Sequence, residues 1–441
     1  MKNNKGITLV ALVVTIVVLL ILAGVSINLV LGNNGIIVKA REAQKKSAEA
    51  SQNDLIGMNE LTQQLEGVLN ENGGGNTGES GTDIKVPAEA TAETAPYFPD
   101  NTFTKKEGTI DTGLVIQDAS GNEYVWVVVP KSLYNNTNYN SNNTKKPSSS
   151  TDYANIEYCL QQYTVTYRNG TSFFDVYYAD DKNVGWFADA TVYNNLKNSM
   201  LKSVYENGGF YVGRYEAGID TTTGTNRTSI ESQVDGKYPV PTTAPVTKAD
   251  AYPYTYVTRT QAQNLASNVN SGTKTSSLMF GVQWDLVLAF MHNKGNIEDS
   301  TLTSNSTTIG NYYNSTFDLD RGKYAQFGQL GNTWKNFDSA LDSIVVSNET
   351  TGKMKKTEQN SYQNGILLTT GGTEQSKVMN IYDIAGNVCE WTLEKTSNTY
   401  DQCVARGGLF NDTGSYRPAA DHDGNSSGHS FYSIGFRVSI F

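Results

Sequence analysis

The sequence predicts an α+β domain with short antiparallel strands and much irregular structure, preceded by a long N-terminal transmembrane helix. The helix is predicted from the run Ile7–Leu31, which contains no charged residue. The α+β domain is predicted because, from about Tyr97 onward, short strand patterns alternate with turns rich in Asn, Gly, Ser and Thr, and two helical patterns lie between them.

The apolar run Ile7–Leu31 is long enough to cross a bilayer. A helix of that length spans about 37 Å at 1.5 Å per residue, whereas the hydrocarbon core is roughly 30 Å thick. A cleaved secretory signal is a weaker interpretation, because its apolar core is usually shorter. The predicted organisation is a leader at 1–6, a transmembrane helix and stalk at 7–69, a flexible Gly-rich linker at 70–96, and a globular domain at 97–441.

The residues around Gly6 suggest a more specific interpretation of the amino terminus. Lys2, Lys5 and Gly6 precede Ile7, and this arrangement resembles the leader of type IV prepilins. The resemblance implies cleavage after Gly6, so that Ile7 becomes the first mature residue. It departs from the family at Ala11, where pilins normally carry Glu. A minor pilin or pseudopilin that assembles with pilin subunits is therefore an alternative function. The predicted location is the cell membrane, crossed once, with the globular domain extracellular.

Composition and charge exclude one class of partner. The formal net charge is -10, and no stretch is rich in Lys and Arg, so a nucleic-acid partner is not expected. The chain has 26 Tyr against 15 Phe. Tyr combines a large apolar face with a polar tip, which suits a surface that is hydrated and also binds other molecules.

Five motifs occur in the second half of the chain, in the order "FYVGRYEA", "LMFGVQWDLVLAF", "NIYDIAGNVCEWTLEK", "CVARGG" and "GFRV". Together they resemble the formylglycine-generating enzyme (sulfatase-modifying factor) family. The resemblance implies a C-type-lectin-like domain with small twisted antiparallel sheets and two flanking helices. Arg406 and Arg437, in the last two motifs, are predicted to anchor the stretch between them through carboxylates or backbone carbonyls.

The family's catalytic chemistry is not expected in this chain. The aerobic enzymes of the family use cysteines between the "RGG" and "GFR" motifs. The form of cysteine that reacts and binds copper is the thiolate, so this chemistry requires a cysteine there. No cysteine lies between Gly408 and Gly435. We therefore predict that the protein is not an enzyme, and an active formylglycine-generating type of oxidase is the weakest alternative.

The three cysteines are Cys159, Cys389 and Cys403. Cys389 and Cys403 flank a predicted hairpin centred near Thr396, and a cross-strand disulfide would suit an exported protein. The alternative is a pair of buried thiols. Cys159 has no predicted disulfide partner in either case.

No cofactor is predicted, with a structural calcium ion as the open alternative. The three histidines lack zinc-site spacing, and the run Asp421–Gly424 is more consistent with a solvated loop. By resemblance to family members with a calcium beside the "GNV" turn, the ligands would be the Asp383 side chain and the carbonyls of Ile384, Gly386 and Val388. Oxygen ligands of this kind suit Ca²⁺.

The stretch Leu409–Ser433, called here the polar segment, is the predicted binding face. It mixes aromatic residues with short polar ones, a balance typical of antibody paratopes. By resemblance, this is also the part of such domains that diversity-generating retroelements rewrite. The predicted function is a surface-displayed receptor or adhesin for an extracellular protein or glycan, and the predicted ligand-binding residues are Leu409, Phe410, Asn411, Asp412, Ser415, Tyr416, Asp421, His422, Asp423, Asn425, His429, Phe431 and Tyr432.

Overall fold

A computed structural model describes residues 88–168, 172–179, 186–330, 333–337 and 343–441. All of them belong to one structural unit. The predicted leader (1–6), the processing site at Gly6 and Ile7, the apolar run and stalk (7–69), and most of the linker lie outside the described residues. Packing begins before Tyr97, because the buried Thr94 hydroxyl donates to the Gly208 carbonyl oxygen over 2.8 Å.

Helices form a minor part of the described residues. The α-helices are α1 (Tyr153–Tyr163), α2 (Ala190–Asn207), α3 (Arg259–Ala266), α4 (Gly281–Gly295) and α5 (Asp299–Thr303). Short 3-10 turns occur at Lys131–Asn135, Tyr362–Asn364 and Glu374–Ser376.

The strands are short, with few exceptions. In chain order they are β1 (Thr104–Glu107), β2 (Val115–Gln117), β3 (Glu123–Val128), β4 (Phe173–Phe174), β5 (Gly209–Gly213), β6 (Gly218–Asp220), β7 (Ala251–Pro253), β8 (Ser276–Leu278), β9 (Phe317–Leu319), β10 (Lys323–Gln326), β11 (Lys335–Asn336), β12 (Val345–Ser347), β13 (Met354–Lys356), β14 (Ile366–Leu368), β15 (Cys389–Thr396), β16 (Cys403–Arg406), β17 (His422–Asn425), β18 (Ile434–Phe436) and β19 (Val438–Ile440).

Two sheets organise the domain. The larger is antiparallel throughout, with the strand order β1-β2-β3-β5-β19-β8, so the last strand of the chain lies between β5 and β8. The second sheet has the order β17-β16-β15-β18, with β4 paired to β15. In it, β15 and β18 are parallel and the other pairs are antiparallel. Three small sheets complete the architecture: β11-β10-β14, β12-β13-β9 and β6-β7.

The local sequence explains the central elements. β3 is buried along its whole length, as its run of Val and Trp predicts. Helix α3 begins after Thr258, whose hydroxyl accepts a hydrogen bond from the Gln261 N–H while the Gln261 side chain accepts one from the Thr258 N–H. This is a capping box. Helix α4 is buried on all sides from Gly281 to Met291, and this stretch is apolar except for Gln283 and Asp285.

The predicted fold class is wrong. We expected an α+β domain preceded by a long transmembrane helix, whereas the described chain consists mostly of small antiparallel sheets with few helices. In the ranges that the structure describes, no helix combines the length and the apolar character needed to cross a membrane. The two helical patterns expected within the domain correspond to α3 and α4. The longest described helix, α2, was not expected.

Asp175 makes the stability of the fold sensitive to pH. Its carboxylate is buried and accepts hydrogen bonds from the N–H groups of Gly281 (2.6 Å) and Val282 (2.9 Å) in the first turn of α4. Burial, together with the charges of Glu394 and Glu157, raises the pKa of Asp175 to about 7. A carboxyl whose pKa rises on folding stabilises most below its unfolded pKa and stabilises less as pH rises through its folded pKa.

We therefore expect Asp175 to lower the free energy of unfolding as pH rises from about 4 to about 7. Asp175→Asn should remove this decrease of the free energy of unfolding with pH. The variant should therefore be destabilised relative to the wild type most strongly at about pH 4, the acidic end of the range. Urea denaturation across this pH range checks it, with Asp111→Asn, an exposed aspartate, as the control. Parallel curves for the wild type and Asp175→Asn would contradict the prediction.

Candidate functional site

The polar segment lies between β16 and β18 in the chain, and both of these strands belong to the second sheet. Its two ends are held by buried arginines. Arg406 is fully buried and donates to Asp285 Oδ1 over 2.8 Å, Glu394 Oε2 over 3.2 Å and the Asp421 carbonyl oxygen over 2.9 Å. Burial raises the pKa of Glu394, but the effects of Arg406, His422 and Arg168 together outweigh it and lower that pKa to about 2. Burial raises the pKa of Asp285, although Arg406 and His422 act in the opposite direction.

Arg437 holds the other end. Its guanidinium donates to both Glu390 oxygens, over 2.6 and 3.0 Å, and to the carbonyl oxygens of Gly213 and Tyr382 over 2.9 Å each. The prediction that Arg406 and Arg437 bind carboxylates and backbone carbonyls is confirmed. Both arginines are structural anchors buried beneath the surface.

The backbone of the polar segment is fixed between these anchors. The Trp284 ring N–H donates to the Ala419 carbonyl oxygen over 3.0 Å, and the Tyr312 hydroxyl donates to the Arg417 carbonyl oxygen over 2.8 Å. The Ala420 N–H donates to the Leu302 carbonyl oxygen over 2.9 Å. Helix α4 and the residues after it therefore support the middle of the segment from below.

Part of the segment is regular structure. We expected Asp421–Gly424 to be a solvated loop, but His422–Asn425 is strand β17, paired antiparallel with β16 so that His422 lies opposite Arg406. The sequence "HDGN" has low strand propensity, so pairing with the buried β16 outweighs the local preference.

The side chains of the predicted binding residues divide by exposure. Three are exposed: Ser415, Tyr416 (69%) and Phe431 (45%). Seven are half-buried: Leu409, Asn411, Asp412, Asp421, Asp423, His429 and Tyr432. The remaining three, Phe410, His422 and Asn425, are buried, and this corrects the prediction for them.

The buried three have internal partners. Phe410 is fully buried against Leu367 and Val388. The His422 ring packs on Phe173 with ring centroids 4.2 Å apart, and Asn425 Oδ1 lies 2.9 Å from His429 Nδ1. They form the support of the surface rather than its contact residues.

An acidic group lies around Arg417 on the segment. The Arg417 guanidinium is 3.0 Å from Asp412 Oδ2, 2.7 Å from Asp423 Oδ2 and 3.5 Å from Asp421 Oδ2. It also lies 5.7 Å from the centre of the exposed Tyr416 ring. Three carboxylates facing one guanidinium leave this part of the surface with a negative charge.

An aromatic group lies on the same segment and includes residues that the sequence did not indicate. The ring of Tyr432 has its centroid 6.0 Å from that of Phe410 and 5.5 Å from that of Phe327. The Phe327 ring is also 5.6 Å from the ring of Tyr362, which is 51% exposed. Phe327 and Tyr362 are far from the segment in sequence and carry no periodic signal, so only the fold identifies them.

The predicted disulfide between Cys389 and Cys403 is wrong. None of the three cysteines is disulfide-bonded in the described structure. The hairpin pairs Glu390 with Arg406 and Lys395 with Cys403, so Cys403 lies opposite Lys395. Glu390, the neighbour of Cys389, lies opposite Arg406, which is three residues along β16 from Cys403. That is about 10 Å at 3.3 Å per residue, and Cys389 is one residue further away, whereas a disulfide needs Cα atoms within about 7 Å. The turn between β15 and β16 lies beyond Thr396, whereas the predicted hairpin was centred near Thr396. The register of the two strands therefore differs from the one that would bring the cysteines together.

We expect three reactive thiols per chain when the protein is unfolded without reductant, since the chain has 3 Cys. Titration with a thiol reagent in denaturant measures this number. The same titration after reduction is the control and should give the same value. A single thiol before reduction and three after it would contradict the register described above.

Asp383, the predicted side-chain ligand for calcium, is bound by donors of the protein. The Asp383 carboxylate accepts hydrogen bonds from the Gly371 N–H over 2.7 Å and the Ser376 hydroxyl over 2.6 Å. The Arg437 guanidinium donates to the Asp383 carbonyl oxygen over 3.3 Å, which places a positive charge beside the turn. A calcium ion at Asp383, Ile384, Gly386 and Val388 stays a prediction. In the described ranges no cluster of three or more His, Cys, Asp or Glu is arranged for a metal ion.

Comparisons with known proteins add little to this geometry. No family model matches the chain, and no curated protein matches it. Among solved structures, the chain is similar to Treponema denticola variable protein 1 at 13% sequence identity. The similarity covers 81% of this chain and 94% of the other, with a TM-score of 0.20.

Proposed function

We propose that the protein is a ligand-binding protein, a receptor or adhesin that acts outside the cell, and that the exposed side chains of the polar segment contact the ligand. The motif resemblance to the formylglycine-generating enzyme family remains part of this proposal, without that family's catalysis. Rewriting of the segment by a diversity-generating retroelement is the finer version of the same proposal.

One observation carries the proposal: the backbone of the segment is fixed from below, while its side chains are presented above. The carbonyls of Arg417, Ala419 and Asp421 are bound by buried side chains that belong to the scaffold or its anchors. Tyr416 and Phe431 nevertheless remain exposed. A fixed backbone lowers the entropy lost on binding, and large aromatic side chains with few rotatable bonds add contact area.

The test is a binding screen of the full chain against an array of cell-surface glycans and proteins. We expect ligands that bind the wild type to lose most of their signal with the double variant Tyr416→Ala, Phe431→Ala. The matched control is Tyr400→Ala, because Tyr400 is 86% exposed but lies outside the segment. If every array signal is equal for the wild type and the double variant, the segment is not the binding face.

A further inference from the structure

We propose that the binding face is composite and that it takes a cationic side chain, Lys or Arg, of a protein partner. The composite face consists of Asn411, Asp412 and Tyr432 from the polar segment together with Phe327 and Tyr362 from outside it. This inference rests on the proposed function and adds the chemical class of the ligand.

The outside contributors are held against the segment. The Phe327 N–H donates to the Gly365 carbonyl oxygen over 2.9 Å. Gly365 approaches the segment so closely that a Cβ at this position would lie 2.7 Å from the Phe410 carbonyl oxygen. The turn that carries Tyr362 and the strand end that carries Phe327 are thus fixed relative to the segment, and their rings belong to the same surface.

The aromatic rings provide faces that attract cations. Phe327 lies between Tyr362 and Tyr432, with ring centroids 5.6 and 5.5 Å away, and the buried Phe410 ring is 6.4 Å from it. Tyr362 is half exposed, at 51%, and Phe327 and Tyr432 are half-buried. A Lys or Arg over such a ring face is attracted by the negative charge density of the face.

A hydrogen-bond acceptor at this surface has no protein partner. The Asn411 Nδ2 group donates to the Tyr432 hydroxyl over 3.5 Å, while Asn411 Oδ1 is buried and accepts no hydrogen bond from the protein. A buried acceptor without a donor is costly. An ammonium or guanidinium group of a ligand would supply that donor only after the half-buried Asn411 side chain rotates toward the surface.

The charge of the segment favours a cation. Asp412, Asp421 and Asp423 face the single guanidinium of Arg417, and the whole chain carries a formal charge of -10. Arg417 itself lies over the Tyr416 ring and between carboxylates. The segment therefore already holds one cation by the combination of ring and carboxylate that we propose for the ligand.

The experiment measures binding of the full chain to oligo-arginine, oligo-lysine, oligo-glutamate and neutral Gly-Ser peptides. We expect the two basic peptides to bind and the other two not to bind. Tyr362→Ala and Asp412→Asn should each weaken binding of oligo-arginine about tenfold. Tyr362→Phe keeps the ring and should bind like the wild type. Tyr400→Ala and Asp111→Asn, an exposed tyrosine and an exposed aspartate elsewhere, should also leave binding unchanged.

Two outcomes would overturn the inference: basic peptides that bind no better than oligo-glutamate, or Tyr362→Ala and Asp412→Asn variants that bind like the two controls. Either outcome, combined with loss of array signal in the Tyr416→Ala, Phe431→Ala variant, would leave the proposed function standing with a ligand of different chemistry. If the peptide experiment gives either of these outcomes and the array signals are also equal for the wild type and the Tyr416→Ala, Phe431→Ala variant, the proposed function is contradicted as well.

Discussion

Arg406→Leu should lower the free energy of unfolding by about 3–5 kcal/mol, the cost of removing one partner from a buried ion pair. The variant leaves Asp285 and Glu394 buried without the guanidinium that lies 2.8 and 3.2 Å from them. It also removes the donor to the Asp421 carbonyl oxygen, so the polar segment loses one of its attachments. Chemical denaturation of the purified protein measures the change.

Two control variants show whether the loss of stability in Arg406→Leu comes from the buried ion pairs. Lys202→Met breaks an exposed pair with Glu206 and should cost about 0–1 kcal/mol. Arg406→Lys retains the charge but lacks the planar fork, and its stability should lie between those of the wild type and Arg406→Leu. A loss below about 1 kcal/mol for Arg406→Leu would show that the buried network is not what holds the segment.

Gly408→Ala should destabilise the protein by about 2–4 kcal/mol, because it combines an unfavourable backbone conformation with a steric clash. Gly408 has a φ of +73°, and a Cβ there would lie 2.3 Å from the Arg417 carbonyl oxygen. That oxygen accepts the Tyr312 hydroxyl, so it cannot move away without losing a buried hydrogen bond.

The control for Gly408 isolates the clash. Gly236 has a similar φ of +75°, but a Cβ there would have nothing within 4 Å. Gly236→Ala should therefore lower the free energy of unfolding by only about 1 kcal/mol, which is the effect of the left-handed conformation alone. Thermal denaturation of both variants gives the difference, and equal losses would contradict the close contact between Gly408 and the segment.

Some elements of the fold are explained by local sequence. The buried strand β3, the cap at Thr258 and the buried helix α4 follow from propensity and periodicity over a few residues. The anchoring roles of Arg406 and Arg437 were also predictable, because their motifs flank a segment that needs attachment.

Features that depend on pairing between distant residues were not predictable in this way. The register of β15 with β16 is set by a turn beyond Thr396, and the spacing of Cys389 and Cys403 suggested a different one. Strand β17 forms because β16 offers it a free edge, although its own residues do not favour a strand. The number of short strands, and hence the fold class, depends on such pairings throughout the chain.

The candidate site shows the same division. Composition indicated the polar segment as a surface, but it could not separate Tyr416, which is exposed, from Phe410, which is fully buried. Nor could it indicate Phe327 and Tyr362, which reach the segment only through tertiary contacts.

The central claim is that a fixed backbone presents exchangeable side chains, and two randomised libraries of the full chain test it most directly. One library varies Ser415, Tyr416 and Phe431, and the other varies Phe410, His422 and Asn425. Protease resistance measures folding, and array binding measures function. We expect most clones of the first library to fold and to differ in binding, and few clones of the second to fold. Equal loss of folded clones from both libraries would contradict the claim.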